Sequence, residues 1–279
     1  PALRFINLYT SILIVSSTYK KIEYYQNLPN QIIDGQSEKI SFKKCIKIKN
    51  VKFSYNDKDY FDFDDLIINK GDKIGLIGVN GSGKTTLIDL ILRLIYPNSG
   101  EITLDDKKIN EFKIKSFHSL FGVVPQDPYL FNDTIKNNIV FGRQNITDDQ
   151  INNSLILSNS TNLISKKSSG LDYIIGEKGT NLSGGEKQKI AISRALLTDP
   201  QIIIFDEAMS SVDSQNAKFI NENFNELFKN KTMIVIGHST TSLSMCNKFV
   251  KITQGKIDSI ESSNDINIKK QIISKMLSN

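Results

Sequence analysis

Cysteine is scarce in this chain, and no stretch of it is long and apolar enough to cross a bilayer. The two cysteines, Cys45 and Cys246, are isolated. They have neither the spacing of a zinc site nor that of a disulfide framework, which favours a reducing compartment over a secreted one. The longest apolar run, "SILIVSS" at residues 11–17, falls well short of the roughly 20 residues of a transmembrane helix. No signal-peptide pattern opens the chain, and it begins at Pro1 rather than Met, so a piece of a longer protein is expected. Internal repeats and low-complexity tracts are missing too, which leaves out repeat arrays and compositionally biased segments. Excess charge is modest: the formal net charge is +5, with Lys scattered among Asp and Glu. That pattern reads as plain solubility rather than a nucleic-acid surface.

What is there is ordinary globular protein. The 279 residues are 39% hydrophobic and 23% charged, enough for one large domain or two modest ones. Residues 1–29 carry apolar residues at helical spacing until Pro29, predicting one long helix and then a linker, "NQIIDGQSEKI". The alternative is an N-terminal helix packed on the same domain. "CIKIKNVKFSY" alternates as a strand does, and "DLIINKGDKIGLIG" supplies two more around a Lys-Gly-Asp turn. "KTTLIDLILRLIY" predicts a helix ending before Pro97, with Leu87, Leu90, Ile91 and Leu94 on its apolar face. "GEITLDDKKI" reads as a hairpin, and the Asn-rich middle, about residues 127–197, as a helical region. "QIIIFDE" and "KTMIVIGH" are nearly all-apolar strands, the mark of a parallel sheet covered on both faces, with a helix near residues 215–228 between them. Strand, crossover helix and strand make the fold class α/β.

"GVNGSGKTT" at residues 78–86 matches G-x-x-x-x-G-K-[ST] between a strand and a helix, the setting of a phosphate-binding loop. The glycines, Gly78, Gly81 and Gly83, let backbone amides close on phosphate. Asn80, Ser82, Thr85 and Thr86 complete the candidate nucleotide contacts. Lys84 can reach the β- and γ-phosphates, Thr85 can offer its hydroxyl to Mg2+, and the helix N-terminus adds partial positive charge. "IIIFDE" delivers Asp206 to a strand end, where it can hold Mg2+ directly or through water. Glu207 follows; if the chain turns there it can face the γ-phosphate and orient a water, and otherwise it is a surface carboxylate.

A second glycine motif, "LSGGEKQKIAISRALL", stands before "IIIFDEAMSSVD". Together they resemble the signature and Walker B regions of ATP-binding cassette (ABC) ATPases, over roughly residues 41–258. The resemblance implies a P-loop NTPase core with a mainly parallel sheet, an N-terminal antiparallel β-subdomain and an inserted helical signature subdomain. It also implies Mg2+-dependent ATP hydrolysis by two cassettes packed head to tail, as a homodimer here. Each ATP would lie between the phosphate loop of one copy and Ser183, Gly184 and Gly185 of the other, whose helix N-terminus can meet a γ-phosphate. Tyr55 in "VKFSYND" matches the aromatic that stacks on adenine; alone it would read as a sheet-surface aromatic. Gln126 in "VVPQDPYLF" matches the glutamine that reaches Mg2+ and the attacking water and senses the transmembrane partner. Asp213 in "SSVD" matches the aspartate that crosses to the other subunit. His238 in "VIGHST" matches the switch histidine, which contacts the γ-phosphate and holds the water of Glu207. Two departures stand out: Glu186 replaces a common Gln, and "STTS" after His238 lacks an arginine frequent in exporters.

"QDPYLFNDTIKNNIVFG" and "IIGEKGTNLSGG", with Glu177 near the membrane-domain contact, resemble segments of exporters. On that resemblance, residues 1–38 would be the cytoplasmic end of a last transmembrane helix plus linker, and residues 39–279 the nucleotide-binding domain. The start, "PALRFINLY", is similar to flippases of lipid-linked sugars. The expected function is the ATPase of a membrane exporter or lipid flippase at the cytoplasmic face of the inner membrane, this portion itself soluble. Its partners would be ATP, a second nucleotide-binding domain and the transmembrane domain, with no nucleic acid. The alternative is a soluble ABC ATPase acting on nucleic acid or ribosomes.

Overall fold

A computed structural model describes residues 2–27, 34–56, 60–208 and 228–278. The chain divides into two compact units, residues 1–33 and 34–279. The first is the helix α1 (Ala2–Gln26). Consecutive Ile12, Leu13, Ile14 and Val15 circle it rather than line one face, and each is at least half exposed. None of the described helices is long and apolar enough to cross a membrane.

The second unit is built on one sheet with two regimes. β1 (Cys45–Ser54) pairs antiparallel with β2 (Tyr60–Phe63), β3 (Leu66–Asn69) and β5 (Ser99–Leu104), and β5 continues to β6 (Lys107–Lys108). The β5–β6 turn is Asp105-Asp106, with φ of 50° and 69°, the two-residue turn whose twist suits a hairpin. Asp105 also accepts hydrogen bonds from the amides of Lys43, Lys44 and Cys45, at 2.6, 2.7 and 3.0 Å, fixing the entry to β1.

The parallel half runs through β4 (Lys73–Ile77), β7 (Phe121–Val124), β8 (Ile202–Asp206), β9 (Thr232–Ile236) and β10 (Lys248–Thr253), with β11 (Lys256–Ser262) antiparallel to β10. The strand order is β6-β5-β1-β2-β11-β10-β4-β9-β8-β7, with β3 attached to β1. The apolar runs behave as a two-faced sheet requires. Ile202 and Ile204 of β8, with Ile234 and Ile236 of β9, face one core; Ile203, Phe205, Met233 and Val235 face the other. α2 (Lys84–Ile91) and α3 (Ile114–His118) contribute to the first core; α8 (Thr240–Leu243) and α9 (Ile266–Ser278) contribute to the second. α4 (Ile135–Val140), α5 (Asp148–Leu157), α6 (Thr161–Ser165) and α7 (Gly184–Leu196) share a third core, which includes Ile139, Leu155, Leu163 and Ile190. The inner face of α7 also reaches the second core through Ala191 and Ala195. Most of the crossover helix expected at residues 215–228, and Asp213 with it, lies outside the described residues.

One expectation is corrected. α2 stops at Ile91, not just before Pro97, and Leu94 is 48% exposed rather than on a buried face. The cause is a helix-terminating turn: the Leu94 amide donates to Asp89 O and the Arg93 amide to Leu90 O, at 2.8 and 3.1 Å. Arg93 takes the left-handed position, φ 58°, where glycine is usual. Its guanidinium compensates. Arg93 is 1% exposed, and Nη1 donates to Ile109 O and Phe112 O at 3.2 and 2.7 Å. Arg93→Ala keeps the strained backbone, removes the guanidinium from Phe112 O and leaves Ile109 O only the long bond from the Phe112 amide at 3.4 Å, so it should cost about 3 kcal/mol in chemical denaturation. An unchanged midpoint would show that the guanidinium does not hold this corner.

Candidate nucleotide-binding site

Strand register brings the predicted residues to one edge of the sheet. Leu76 and Asp206 both pair with Ile236, and Val124 pairs with Phe205. The residues that leave these parallel strands, Gly78, Gln126, Glu207 and His238, therefore emerge at the same end, as sites in open α/β sheets do.

The loop after β4 is held tightly. A Cβ on Gly78 would lie 2.3 Å from Ile252 O, and one on Gly83, where φ is 109°, would lie 2.8 Å from the Phe61 ring. Neither position tolerates a side chain without displacing β10 or β2. The turn between β10 and β11 adds a clamp, with the Gly255 amide donating to Ser82 O at 2.9 Å. Lys84 is 6% exposed, and its Nζ donates to Gly78 O and Val79 O at 2.7 and 3.0 Å. Burial pulls its pKa down, against the opposing charges of Glu207 and Asp206. Asn80 and Gly81 are exposed on the loop and Thr85 in the first turn of α2, while Thr86 is buried.

Across from the loop, Asp206 ends β8. Glu207 then turns to φ 50°, its amide donating to Ile236 O at 3.1 Å. That left-handed step breaks the strand alternation, and His238 Nε2 lies 2.7 Å from Glu207 Oε1. A cavity of about 110 Å3 opens between Glu207, Gly237, His238 and Ser242. Burial, then the charge of Glu207, raises the Asp206 carboxyl above its ordinary range, opposed by Lys84. Asp89 of α2 is raised likewise, by burial and by Asp206.

Tyr55 is 51% exposed and edge-on to Phe53 and Phe61, at 4.7 and 6.1 Å between centroids. Through Phe61 it borders the loop. Gln126 is exposed at the end of β7. Ser183, Gly184 and Gly185 belong to a different region, the start of α7, and are tied to this edge through Gln188, whose Nε2 donates to Pro125 O at 3.3 Å. Ser183 caps α7 in a reciprocal box with Glu186.

Phe61, Asp89 and the β10–β11 turn escaped the sequence reading. The turn had a signal, Gln254-Gly255 between two alternating runs. Phe61 and Asp89 had none, because their relation to the loop comes from packing alone. The residues fit a magnesium nucleotide. Among the described residues, Ser82 Oγ is buried without a hydrogen-bond partner beneath the loop. Thr85, Asp206 and Gln126 offer a hydroxyl, a carboxylate and an amide oxygen, the hard donors that Mg2+ takes.

The ABC transporter family profile matches residues 62–210. The chain is 36% identical over 247 residues to ABC transporter B family member 21 of Arabidopsis thaliana, covering 87% of this chain and 19% of that protein. It is 35% identical to the heterocyst differentiation ATP-binding protein HepA of a Nostoc species, covering 87% of this chain and 40% of that protein. Among solved structures, a bacterial Atm1-family ABC exporter with ATP bound superposes with a TM-score of 0.83 at 25% identity, covering 97% of this chain and 48% of that one. The chain thus spans less than half the length of each of these relatives.

The raised Asp206 carboxyl has a measurable consequence without nucleotide. A raised carboxyl costs nothing at a pH where both states are protonated; the cost grows as pH climbs through the ordinary carboxylate range and is complete above the raised value. Asp206→Asn should match wild type in acid and melt higher near neutrality. Thermal melts across about pH 4 to 8 read this directly, and a gap that narrows as pH rises would contradict it.

Proposed function

This chain belongs to the ABC transporter family, as an ATPase domain homologous to exporters, and we propose that it powers a membrane exporter by binding and hydrolysing ATP. The observation that carries the reading is the meeting at one sheet edge of Lys84, Asp206 and the Glu207–His238 hydrogen bond.

Residues 78–86 would cradle the phosphates, with Lys84 moving from its own loop carbonyls onto the β- and γ-phosphates, and Tyr55 would stack on adenine. Thr85, Asp206 and Gln126 would hold Mg2+, which when bound supplies charge neutralisation on the phosphates. Glu207 would take a proton from water as its oxygen attacks the γ-phosphorus in line and the bond to the β–γ bridging oxygen breaks. His238, on the same carboxylate, would hold that water in place. Ser183, Gly184 and Gly185 of a second copy would close over the γ-phosphate, and Asp213 would cross between copies. Nucleotide then joins the dimer and hydrolysis loosens it.

The transport domain is the other partner of this reading. A cleft of about 500 Å3, lined by Phe131, Val140 and Phe141 together with Asp133 and Asn137, lies on the segment that resembles exporters after Gln126. α1, whose exposed Ile12–Val15 run circles the helix, fits a continuation of a membrane-spanning bundle at the cytoplasmic face. A role on nucleic acid or ribosomes is not favoured.

Glu207→Gln should lower ATP turnover by about 10²–10⁴-fold with ATP binding intact. Light scattering on that variant should show a monomer-to-dimer shift with Mg-ATP, abolished by changing Ser183 or Gly185. Turnover at the wild-type rate would remove Glu207 from the mechanism.

A further inference from the structure

The start of α7 carries an anion of its own. Glu186 Oε2 accepts from the Ser183 amide at 2.8 Å, and the Glu186 amide donates to Ser183 Oγ at 3.3 Å. The box consumes two amides of this helix end and leaves those of Gly184 and Gly185 for an incoming anion. Gly184 is open: a Cβ there would meet nothing within 4 Å. Yet a carboxylate folded over a helix N-terminus takes up the positive potential that a phosphate would otherwise feel, and adds its own repulsion.

Lys167 answers that charge. It lies beyond α6, its amide donating to Ile164 O at 3.1 Å and its carbonyl accepting from the Gly170 amide at 3.0 Å. Its side chain is only 16% exposed, with Nζ 3.1 Å from Glu186 Oε1 and 5.2 Å from the centroid of the Tyr173 ring. Both carboxylate oxygens of Glu186 are thus engaged, one by the helix end and one by an ammonium held in place by the helical core. A surface ion pair of two free side chains would add little. This one is partly buried, capped by an aromatic face, and placed at the turn where the second copy is to meet phosphate.

Resting on the reading that Ser183–Gly185 close over the nucleotide of a second copy, we propose that Lys167 is a positioning residue for that contact. It neutralises Glu186 and holds it folded back, so that a signature carrying a carboxylate still accepts a γ-phosphate. Removing the ammonium leaves an unpaired carboxylate facing the phosphate. Removing the carboxylate as well abolishes the need for the ammonium.

The test uses the whole chain in the Glu207→Gln background, reading by light scattering the Mg-ATP concentration at half-maximal dimer. Lys167→Gln should raise it roughly tenfold, the penalty of an uncompensated like charge at an interface. Lys167→Arg should stay near the parent. The double variant Lys167→Gln/Glu186→Gln should return to the value of Glu186→Gln alone, whatever melting temperature the three show without nucleotide. A merely structural pair would lower the melting temperature of Lys167→Gln and leave its ATP requirement where it was, and that outcome overturns the proposal. So does a double variant as impaired as Lys167→Gln. A parent that stays monomeric at saturating Mg-ATP overturns the shared-site reading itself, and this proposal with it.

Discussion

The Lys84 ammonium sits in the first turn of α2, almost fully buried, bonded to the carbonyls of its own loop and under the charges of Asp206 and Glu207 at the end of β8. A buried cation is stable only where oxygens surround it, and this one gathers them from residues far apart in the chain. Gly78 and Val79 supply carbonyls from the loop that follows β4; Asp206 and Glu207 supply charge from the end of β8 and the residue after it. Each is placed by parallel pairing to β9, so the register of three strands and the charge balance of the site are one constraint. Burial shifts Lys84 and Asp206 in opposite directions, and each moderates the other. Groups whose charge states burial and neighbours shift in this way gather at binding and catalytic sites.

The same chain builds a second cluster of amides at the start of α7, a helix shared between the third core and the second. That region is joined to the strand edge through Gln188 and to β7 through the inner face of α7. The two clusters have different clamps: the loop is pressed by β2, β10 and β11, while α7 is held by the helices of the third core and by the sheet beneath it. A cap formed by Ser183 and Glu186 fits this separation, since it satisfies the helix end locally and waits on nothing from the loop.

The antiparallel strands have a supporting role that is easy to overlook. Phe61 of β2 backs Gly83, and Tyr55 extends that aromatic row outward. The β10–β11 turn closes on Ser82. The phosphate loop is thus pressed from the side opposite the carboxylates, which is why two of its glycines have no room for a methyl group.

Much of this was legible in the residues. Two-faced apolar runs announced the parallel strands, and the loop and the carboxylate pair announced their chemistry by spacing, because backbone cradles and strand ends need particular residues at particular offsets; the second glycine motif was legible through its resemblance to ABC ATPases. α2 was read too long, because Leu94 continues the helical period while Arg93 ends it; an arginine at a position that favours glycine gives no warning, and its carbonyl partners lie on another segment. Phe61, Asp89 and Lys167 were silent for the same reason. Sequence by itself determined most of the described elements and which groups are candidates for phosphate and metal, since those follow from local backbone geometry and side-chain chemistry. Only the tertiary structure decided that Glu207 turns towards His238, that Lys84 is buried under the influence of the Glu207 and Asp206 charges, and that Lys167 pairs with Glu186. These depend on distances between segments remote in the chain, which no local pattern encodes.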